Sequence, residues 1–260
     1  MVKCPICKSR SRLIWKEKKH KVFRCKNCKV AFLYPIPESS EKIYNRKYFE
    51  NWYLRYYDER KRYFEKLFNN KLKNYLPEQG KILDVGCGVG IFLDIMREKK
   101  YDVYGQDISP FAVEYCRKNG FNIFDKSLSE LNLPENFFDI VTMFDVIAHL
   151  KNPVKYIKIC KRILKPEGIL IIKTPYHSAC LFLLANIFSF TGKSKGLLHI
   201  PAQIFHFSYK TFEYMSKNFN FSKIFMFNIR EFFPDIISIS LLKKFVLNEK
   251  SIIFIGKNKK

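Results

Sequence analysis

Apolar positions in the middle of the chain switch repeatedly between a strand pattern and a helix pattern. Short apolar runs predict strands over 81–85, 103–107, 122–124, 138–143 and 169–173. Apolar residues at helical spacing predict helices over 91–100, 110–119 and 153–164. Alternation of this kind builds a parallel sheet with helices on both faces, so the sequence predicts an α/β fold.

The two ends of the chain follow other patterns. Residues 1–37 are strand-like and carry cysteines, and residues 38–78 are rich in aromatic and charged side chains at helical spacing. We therefore divide the chain into a small unit at 1–37, a helical cap or linker at 38–78 and a main domain at 79–260. Two late apolar runs, 223–229 and 251–255, have no helical pattern between them and predict an antiparallel pair at one sheet edge.

The net charge favours certain classes of binding partner but does not decide among them. The 260 residues include 47 Lys and Arg against 24 Asp and Glu, which gives a net charge of +23. Such a balance favours nucleic acid, anionic lipid or a phosphorylated substrate as partner. The lysines are spread along the whole chain, however, so we prefer a compositional bias of the genome as the explanation of the charge.

The first cysteines form two CxxC pairs, Cys4 with Cys7 and Cys25 with Cys28. Each pair places two thiolates on one tight turn, and two such turns can close a tetrahedral zinc site. Four protein ligands leave no open position on the metal, so the zinc is expected to be structural. The start of the chain shows no apolar export signal, and we expect a reducing, cytoplasmic location.

A glycine loop at 83–90, LDVGCGVG, joins a predicted strand to a predicted helix. Its glycines at 86, 88 and 90 allow a ligand to approach the backbone closely. Asp84, just before the loop, would repel a pyrophosphate but suits an ammonium group. Asp107 ends the next strand, where a carboxylate can bind ribose hydroxyls. The pattern indicates a nucleoside cofactor that carries an ammonium group.

This loop, YGQDIS at 104–109 and FFDIVTMFDVIAHL at 137–150 together resemble the class I S-adenosylmethionine-dependent methyltransferases. The cysteine-bearing start and IPAQIFHFSYKTF at 200–212 resemble a subgroup with an N-terminal zinc ribbon, many of whose members modify sugars or cell-surface polysaccharides. The resemblance implies S-adenosylmethionine as cofactor. It also implies a Rossmann-like, seven-stranded sheet that is mostly parallel with a reversed edge strand.

The resemblance further implies a set of cofactor contacts that follows the strand ends in order. The methionine end would meet Asp84, Gly86, Gly88 and Gly90, and Asp107 would bind the ribose. The other implied contacts surround the adenine and the sulfonium and cover the site: Ile108, Ser127, Leu128, Phe144, Tyr44 and Tyr48.

The sequence indicates the residues that would act on the methyl acceptor less clearly. Family members often carry Glu before the histidine that follows the fourth strand and a histidine where this chain has Gln203, so His149, His206 and His199 remain as candidates for a general base. Each can also be read as a structural histidine. We expect residues 176–208 to form an acceptor lid, with Lys193 and Lys195 at its rim.

The sequence leaves the acceptor itself open. The lid suits a sugar, nucleotide-sugar or lipid-linked saccharide, and its apolar stretch at 176–190 is too short to span a bilayer but can lie against one. A peripheral membrane contact is therefore one expectation. The alternatives are an RNA or tRNA methyltransferase that uses the ribbon and the basic surface, or a catalytically silent binding module. The oligomeric state is not indicated.

Overall fold

The computed structural model describes residues 1–37, 44–192, 194–230 and 250–260, which form a seven-stranded and a four-stranded β-sheet. The strands are β1 (Ser11–Glu17), β2 (His20–Cys25), β3 (Ala31–Tyr34), β4 (Lys81–Val85), β5 (Asp102–Gln106), β6 (Asn122–Phe124), β7 (Phe138–Phe144), β8 (Leu164–Tyr176), β9 (Phe205–His206), β10 (Phe221–Arg230) and β11 (Lys250–Asn258). The α-helices are α1 (Arg46–Phe49), α2 (Tyr57–Leu67), α3 (Ile91–Glu98), α4 (Pro110–Lys118), α5 (Pro153–Ile163), α6 (Ala179–Ile187) and α7 (Tyr209–Asn218).

The large sheet has the strand order β10-β11-β8-β7-β4-β5-β6. From β8 to β6 every neighbouring pair is parallel, whereas β11 is antiparallel to both β8 and β10. The predicted α/β class and the strand count are thus confirmed. One detail is wrong: the reversed strand is β11, which lies one position in from the edge, and β10 is the edge strand.

Burial explains this position of β11. Ile252, Ile253 and Ile255 are fully buried, so both faces of the strand are covered by other parts of the protein. A strand that is apolar on both faces is stable only inside a sheet. Phe225 of β10, by contrast, is 44% exposed, as an edge strand permits.

Two apolar layers cover the faces of the large sheet. On one face Leu83 and Val141 pack with Ile157 of α5, and on the other Ile82 and Ile140 pack with helix α3. Alternate residues of the same strands therefore supply both layers. In such sheets ligands bind beyond the carboxyl ends of the parallel strands.

The small sheet joins the start of the sequence to a segment near residue 205, in the order β1-β2-β3-β9. Its last strand, β9, comes from the region after α6, and Phe32 of β3 packs against Phe205 of β9 with ring centroids 6.4 Å apart. Helix α6 is also held by β1, because Trp15 Nε1 donates to the Ala185 carbonyl at 3.2 Å. The cysteine-bearing segment is therefore packed directly onto the region predicted as the acceptor lid.

The aromatic segment after the ribbon is helical but irregular. Helices α1 and α2 are separated by a π-helical turn at Glu50–Leu54, and a second π-helical turn follows at Phe68–Leu72. Residues 38–43 of the predicted cap lie outside the described residues. Aromatic side chains of α1 and of the first π-helical turn lie over the glycine loop.

Candidate functional site

The four cysteine sulfurs of the two CxxC pairs come together, all within 4.8 Å of one another. Cys4 and Cys28 are 3.6 Å apart, and Cys7 and Cys25 are 3.3 Å apart. A tetrahedral zinc with Zn–S bonds of about 2.3 Å needs sulfurs about 3.8 Å apart, so the cluster fits zinc after a small adjustment. The hydrogen bond with Cys28 lowers the pKa of Cys4, and the same bond raises the pKa of Cys28.

The glycine loop follows β4 and opens helix α3. Gly86 and Gly88 have φ angles of 72° and 56°, in the left-handed region that favours glycine. A Cβ on Gly86 would lie 2.3 Å from a methyl carbon of Val146. A Cβ on Gly88 would lie 3.4 Å from the ring of Phe49 and 3.8 Å from that of Tyr53, so aromatic rings lie directly over the loop.

Two buried carboxylates flank this loop. Asp84 is 3% exposed, and its Oδ1 accepts a hydrogen bond from the Thr142 hydroxyl at 2.6 Å. Burial raises the pKa of Asp84 to about 7, and the nearby charge of Asp107 adds to the effect. Asp107 accepts from the backbone N–H groups of Gly88 and Ser109, at 2.8 and 2.9 Å. Burial raises its pKa as well.

No Lys, Arg or His nitrogen among the described residues lies within 4.0 Å of either carboxylate. Two buried acids without a cation are costly in the protein alone. A ligand with an ammonium group and ribose hydroxyls would satisfy both. The residues present therefore fit S-adenosylmethionine.

The aromatic cover over the site consists of Tyr44, Tyr48, Phe49 and Tyr53. Neighbouring rings in it lie 5.2–5.6 Å apart. It is tied to the cofactor side because the Ser109 hydroxyl donates to the Tyr44 carbonyl at 3.0 Å. Burial raises the pKa of Tyr44 and Tyr48, so both remain neutral hydroxyls at physiological pH. Tyr44 and Tyr48 are predicted from the sequence, and the structure adds Tyr53.

The other predicted cofactor contacts lie in different surroundings. Ile108 is 44% exposed beside Asp107, and its side chain is accessible to a ligand. Ser127 Oγ is hydrogen-bonded to the Tyr156 hydroxyl at 2.7 Å, and Leu128 is fully buried in the core. Phe144 packs on Phe92, with centroids 4.8 Å apart. Gly90, with a φ of 78°, ends the loop immediately before α3.

Of the three predicted histidines, His149 lies beside the aromatic cover, with its ring 6.2 Å from that of Tyr44. Its Nδ1 is 2.8 Å from the Ala202 carbonyl oxygen. A carbonyl can only accept, so Nδ1 carries the proton and Nε2 keeps its lone pair. Burial lowers the pKa of His149, which keeps the ring neutral at pH 7. This is the state that a general base requires.

His206 and His199 lie together with His177, which the sequence did not indicate as a site residue. The Nδ1 atoms of His206 and His177 are 3.2 Å apart, and the rings of His177 and His199 are 6.1 Å apart. Burial lowers the pKa of His206 to about 3, so the ring is neutral. His177 directly follows β8, but the predicted strand ends at residue 173, so the sequence pattern does not mark His177 as a strand-end residue.

A second unpredicted feature lies at the ends of β7 and β8. Asp145 has a φ of 60°, and its Oδ2 accepts from Lys173 Nζ at 2.6 Å. Lys173 is 2% exposed, so the pair is buried on the lysine side. A non-glycine residue in the left-handed region costs conformational free energy, and such strain is often found at functional sites.

The surface of the lid region carries exposed apolar side chains. Leu183, Ile187 and Phe190 are 61%, 53% and 83% exposed. Lys195 lies at the rim, where its backbone N–H donates to Glu17 at 3.2 Å. Lys193 lies outside the described residues. No helix in the described part of the chain is both long enough and apolar enough to cross a membrane.

Comparison with known proteins agrees with this geometry. A family profile described as "Methyltransferase domain" matches residues 42–224. Ubiquinone biosynthesis O-methyltransferases from Methylococcus capsulatus and Cereibacter sphaeroides are 31% and 30% identical over 114 and 127 residues. These matches cover 41% and 46% of this chain and 48% and 51% of the relatives. The chain thus matches about half the length of these curated relatives.

Among solved structures, a chain in the complex of the Haloferax volcanii methyltransferase activator Trm112 with a methyltransferase has a TM-score of 0.57. It is 16% identical, and the match covers 78% of this chain and 95% of that one. At such identity the likeness shows the shared fold alone.

Proposed function

The chain belongs to the methyltransferase domain family, and we propose that it transfers a methyl group from S-adenosylmethionine to a small-molecule acceptor. The observation that carries this proposal is the pair of buried carboxylates, Asp84 and Asp107, at the two strand ends beside the glycine loop. Their burial without a cation among the described residues matches a ligand with an ammonium group and ribose hydroxyls. The same arrangement argues against a silent module that has lost its ligand.

In this proposal the cofactor supplies a methyl group that is already activated on a positively charged sulfur. The chain has to bind, orient and shield the two reactants. Asp84 would hold the ammonium group and Asp107 the ribose hydroxyls. Tyr44 and Tyr48 would exclude water from above the loop.

His149 is our candidate for the general base. Its Nδ1–H is held by the Ala202 carbonyl, which leaves Nε2 to take a proton from the attacking group of the acceptor. Its contact with Tyr44 places it at the edge of the cofactor side. His206 and His199 belong to a separate histidine cluster, so we assign them to acceptor binding instead of proton transfer.

The four-cysteine cluster would hold one structural zinc. All four sulfurs would be used by the metal, so no step of the reaction is expected there. The metal would instead fix the ribbon strands. These strands in turn hold helix α6 through Trp15 and strand β9 through Phe32.

The class of small molecule is a narrower proposal. The names of the curated relatives favour a small-molecule acceptor, and the resemblance of the N-terminal segment favours a sugar or lipid-linked saccharide. The exposed apolar side chains of the lid, Leu183, Ile187 and Phe190, suit a peripheral contact with a membrane that presents such an acceptor. RNA methylation is the other acceptor class that the transfer assay below includes.

The proposal is tested in two steps. Calorimetry should show that S-adenosylmethionine binds the wild type and that Asp84→Asn weakens binding at least tenfold, with the exposed Asp125→Asn as the matched control. Transfer of a labelled methyl group is then measured on separate pools of quinone-type small molecules, nucleotide-sugars, lipid-linked saccharides and RNA. Absence of cofactor binding would refute the assignment, and labelling of RNA alone would replace the acceptor class.

A further inference from the structure

Two arginines face each other across the first hairpin of the ribbon. Arg12 of β1 is paired in register with Arg24 of β2. Residues directly opposite each other in an antiparallel pair lie on the same face, and like charges in that arrangement are destabilising. Val22, two residues from Arg24, shares this face and packs with Phe182 and the rest of α6. The two guanidinium groups are therefore on the side of the ribbon that faces the lid.

Arg24 is only partly accessible and lies against an aromatic ring. Its guanidinium carbon is 5.0 Å from the centroid of Phe182. Among the described residues, no carboxylate oxygen lies within 4.0 Å of either Arg12 or Arg24. A half-buried arginine beside a second arginine normally has an anion to offset the repulsion and the loss of water. Here that anion is not supplied by the described side chains.

The histidine cluster contacts the same phenyl ring. The centroid of His206 is 5.5 Å from that of Phe182, so Arg24 and His206 contact one side chain. Nε2 of His206 is buried and has no hydrogen-bond partner among the described residues.

The same histidine cluster also lies near the proposed general base, His149. His199 is close enough to lower the pKa of both His206 and His149. His199 therefore lies near both the histidine cluster and His149.

We propose that Arg12, Arg24 and His206 form a binding site for the anionic group of the methyl acceptor, a phosphate or a carboxylate. The site rests on the proposed function, since it places the acceptor relative to His149. A guanidinium pair binds the oxygens of such a group in a planar, bidentate manner that lysine cannot reproduce. This assignment also gives the zinc ribbon a direct part in substrate binding, because both arginines lie on ribbon strands.

The experiment uses the full, zinc-loaded chain and inorganic pyrophosphate as the probe. Binding is followed by calorimetry at fixed ionic strength for the wild type, Arg12→Ala, Arg24→Met and the control Arg62→Ala, which removes an exposed arginine from α2. Both ribbon variants should bind pyrophosphate at least tenfold more weakly, and the control should change less than twofold. Arg12 is exposed, so its replacement is not expected to disturb folding. Measurements of zinc content and melting temperature show whether the Arg24→Met variant is folded.

A cofactor titration keeps the anion site distinguishable from the proposed function. Affinity for S-adenosylmethionine should be the same in all four proteins. If the wild type fails to bind that cofactor, the proposed function falls, while the pyrophosphate result still decides the anion site. An equal loss of pyrophosphate affinity in Arg62→Ala, or unchanged pyrophosphate affinity in both ribbon variants, would overturn the site.

A vesicle assay distinguishes the acceptor's anionic group from a lipid headgroup. The same four proteins are mixed with vesicles of phosphatidylglycerol and of phosphatidylcholine. Vesicle binding that is equal in all four proteins, together with the tenfold loss of pyrophosphate affinity, supports the site. Selective loss of phosphatidylglycerol binding with pyrophosphate binding intact would make the arginines a lipid contact and overturn the proposal.

Discussion

Replacing Asp84 by Asn should stabilise the protein without cofactor while it weakens cofactor binding. Burial raises the pKa of Asp84 from 3.8 to about 7 in the folded protein. In the unfolded chain this group ionises near its ordinary pKa. Ionisation of Asp84 therefore lowers the free energy of unfolding. This penalty is absent below pH 3.8, grows as pH rises and is complete above pH 7.

The size of the penalty follows from the shift. One pKa unit corresponds to about 1.4 kcal/mol, so the full penalty is about 4 kcal/mol above pH 7 and about 2 kcal/mol at pH 5.5. An asparagine at position 84 carries no charge and can still accept the hydrogen bond of Thr142. Relative to the wild type, Asp84→Asn should gain about 2 kcal/mol between pH 5.5 and pH 8.

Urea unfolding of zinc-loaded wild type and Asp84→Asn at these two pH values measures the difference. Asp125→Asn is the matched control, because the hydrogen bond of Arg117 lowers the pKa of the exposed Asp125. The pKa of Asp125 is at or below 3.8 in both the folded and the unfolded chain, so Asp125→Asn should change the free energy of unfolding by the same amount at pH 5.5 and at pH 8. A stability change in Asp84→Asn that is the same at both pH values would refute the reasoning.

Three further outcomes are expected. Asp107→Ala should weaken S-adenosylmethionine binding by about 1.5–3 kcal/mol in calorimetry, because it removes charge-assisted hydrogen bonds; unchanged affinity would exclude Asp107 as the ribose ligand. His149→Gln should lower kcat about a hundredfold or more. Because burial holds the pKa of His149 below 6.5, wild-type activity should be flat near neutral pH and fall only in acid, and a variant with the same acid limb would contradict its role as base. The Cys25→Ser variant should lose the zinc and unfold in one cooperative transition at a lower midpoint temperature, because Cys25 shares a core with Leu83. Two separate transitions in calorimetry would contradict this.

The sequence by itself was sufficient for features that are encoded locally. The two CxxC pairs indicate a four-sulfur cluster because each pair lies on one turn. The glycine loop indicates a nucleoside site because strand, loop and helix are contiguous. The alternation of apolar patterns indicates a parallel sheet for the same reason, since each strand and helix shows its own period within a few residues.

Features that depend on two strands meeting were predicted less well. The late apolar runs predict an antiparallel pair at one sheet edge, and β10 and β11 form that pair. The resemblance implies that the reversed strand is the edge strand itself, but the reversed strand, β11, lies one position inside the edge. Only the packing of β11 against β8 shows that its apolar residues are covered on both faces. Asp145 was missed as well, because its partner Lys173 is 28 residues away on the neighbouring strand.

The largest gap concerns the junction of ribbon and lid, which only the tertiary structure decided. Strand β9 has two residues, too few for a periodic signal, yet it joins the ribbon sheet to the main domain. Arg24 and Phe182 are equally ordinary when read along the chain. Their contact depends on a ribbon strand packing against a helix more than 150 residues later, and local patterns carry no information about such a pairing because the free energy that selects it comes from burying both surfaces at once.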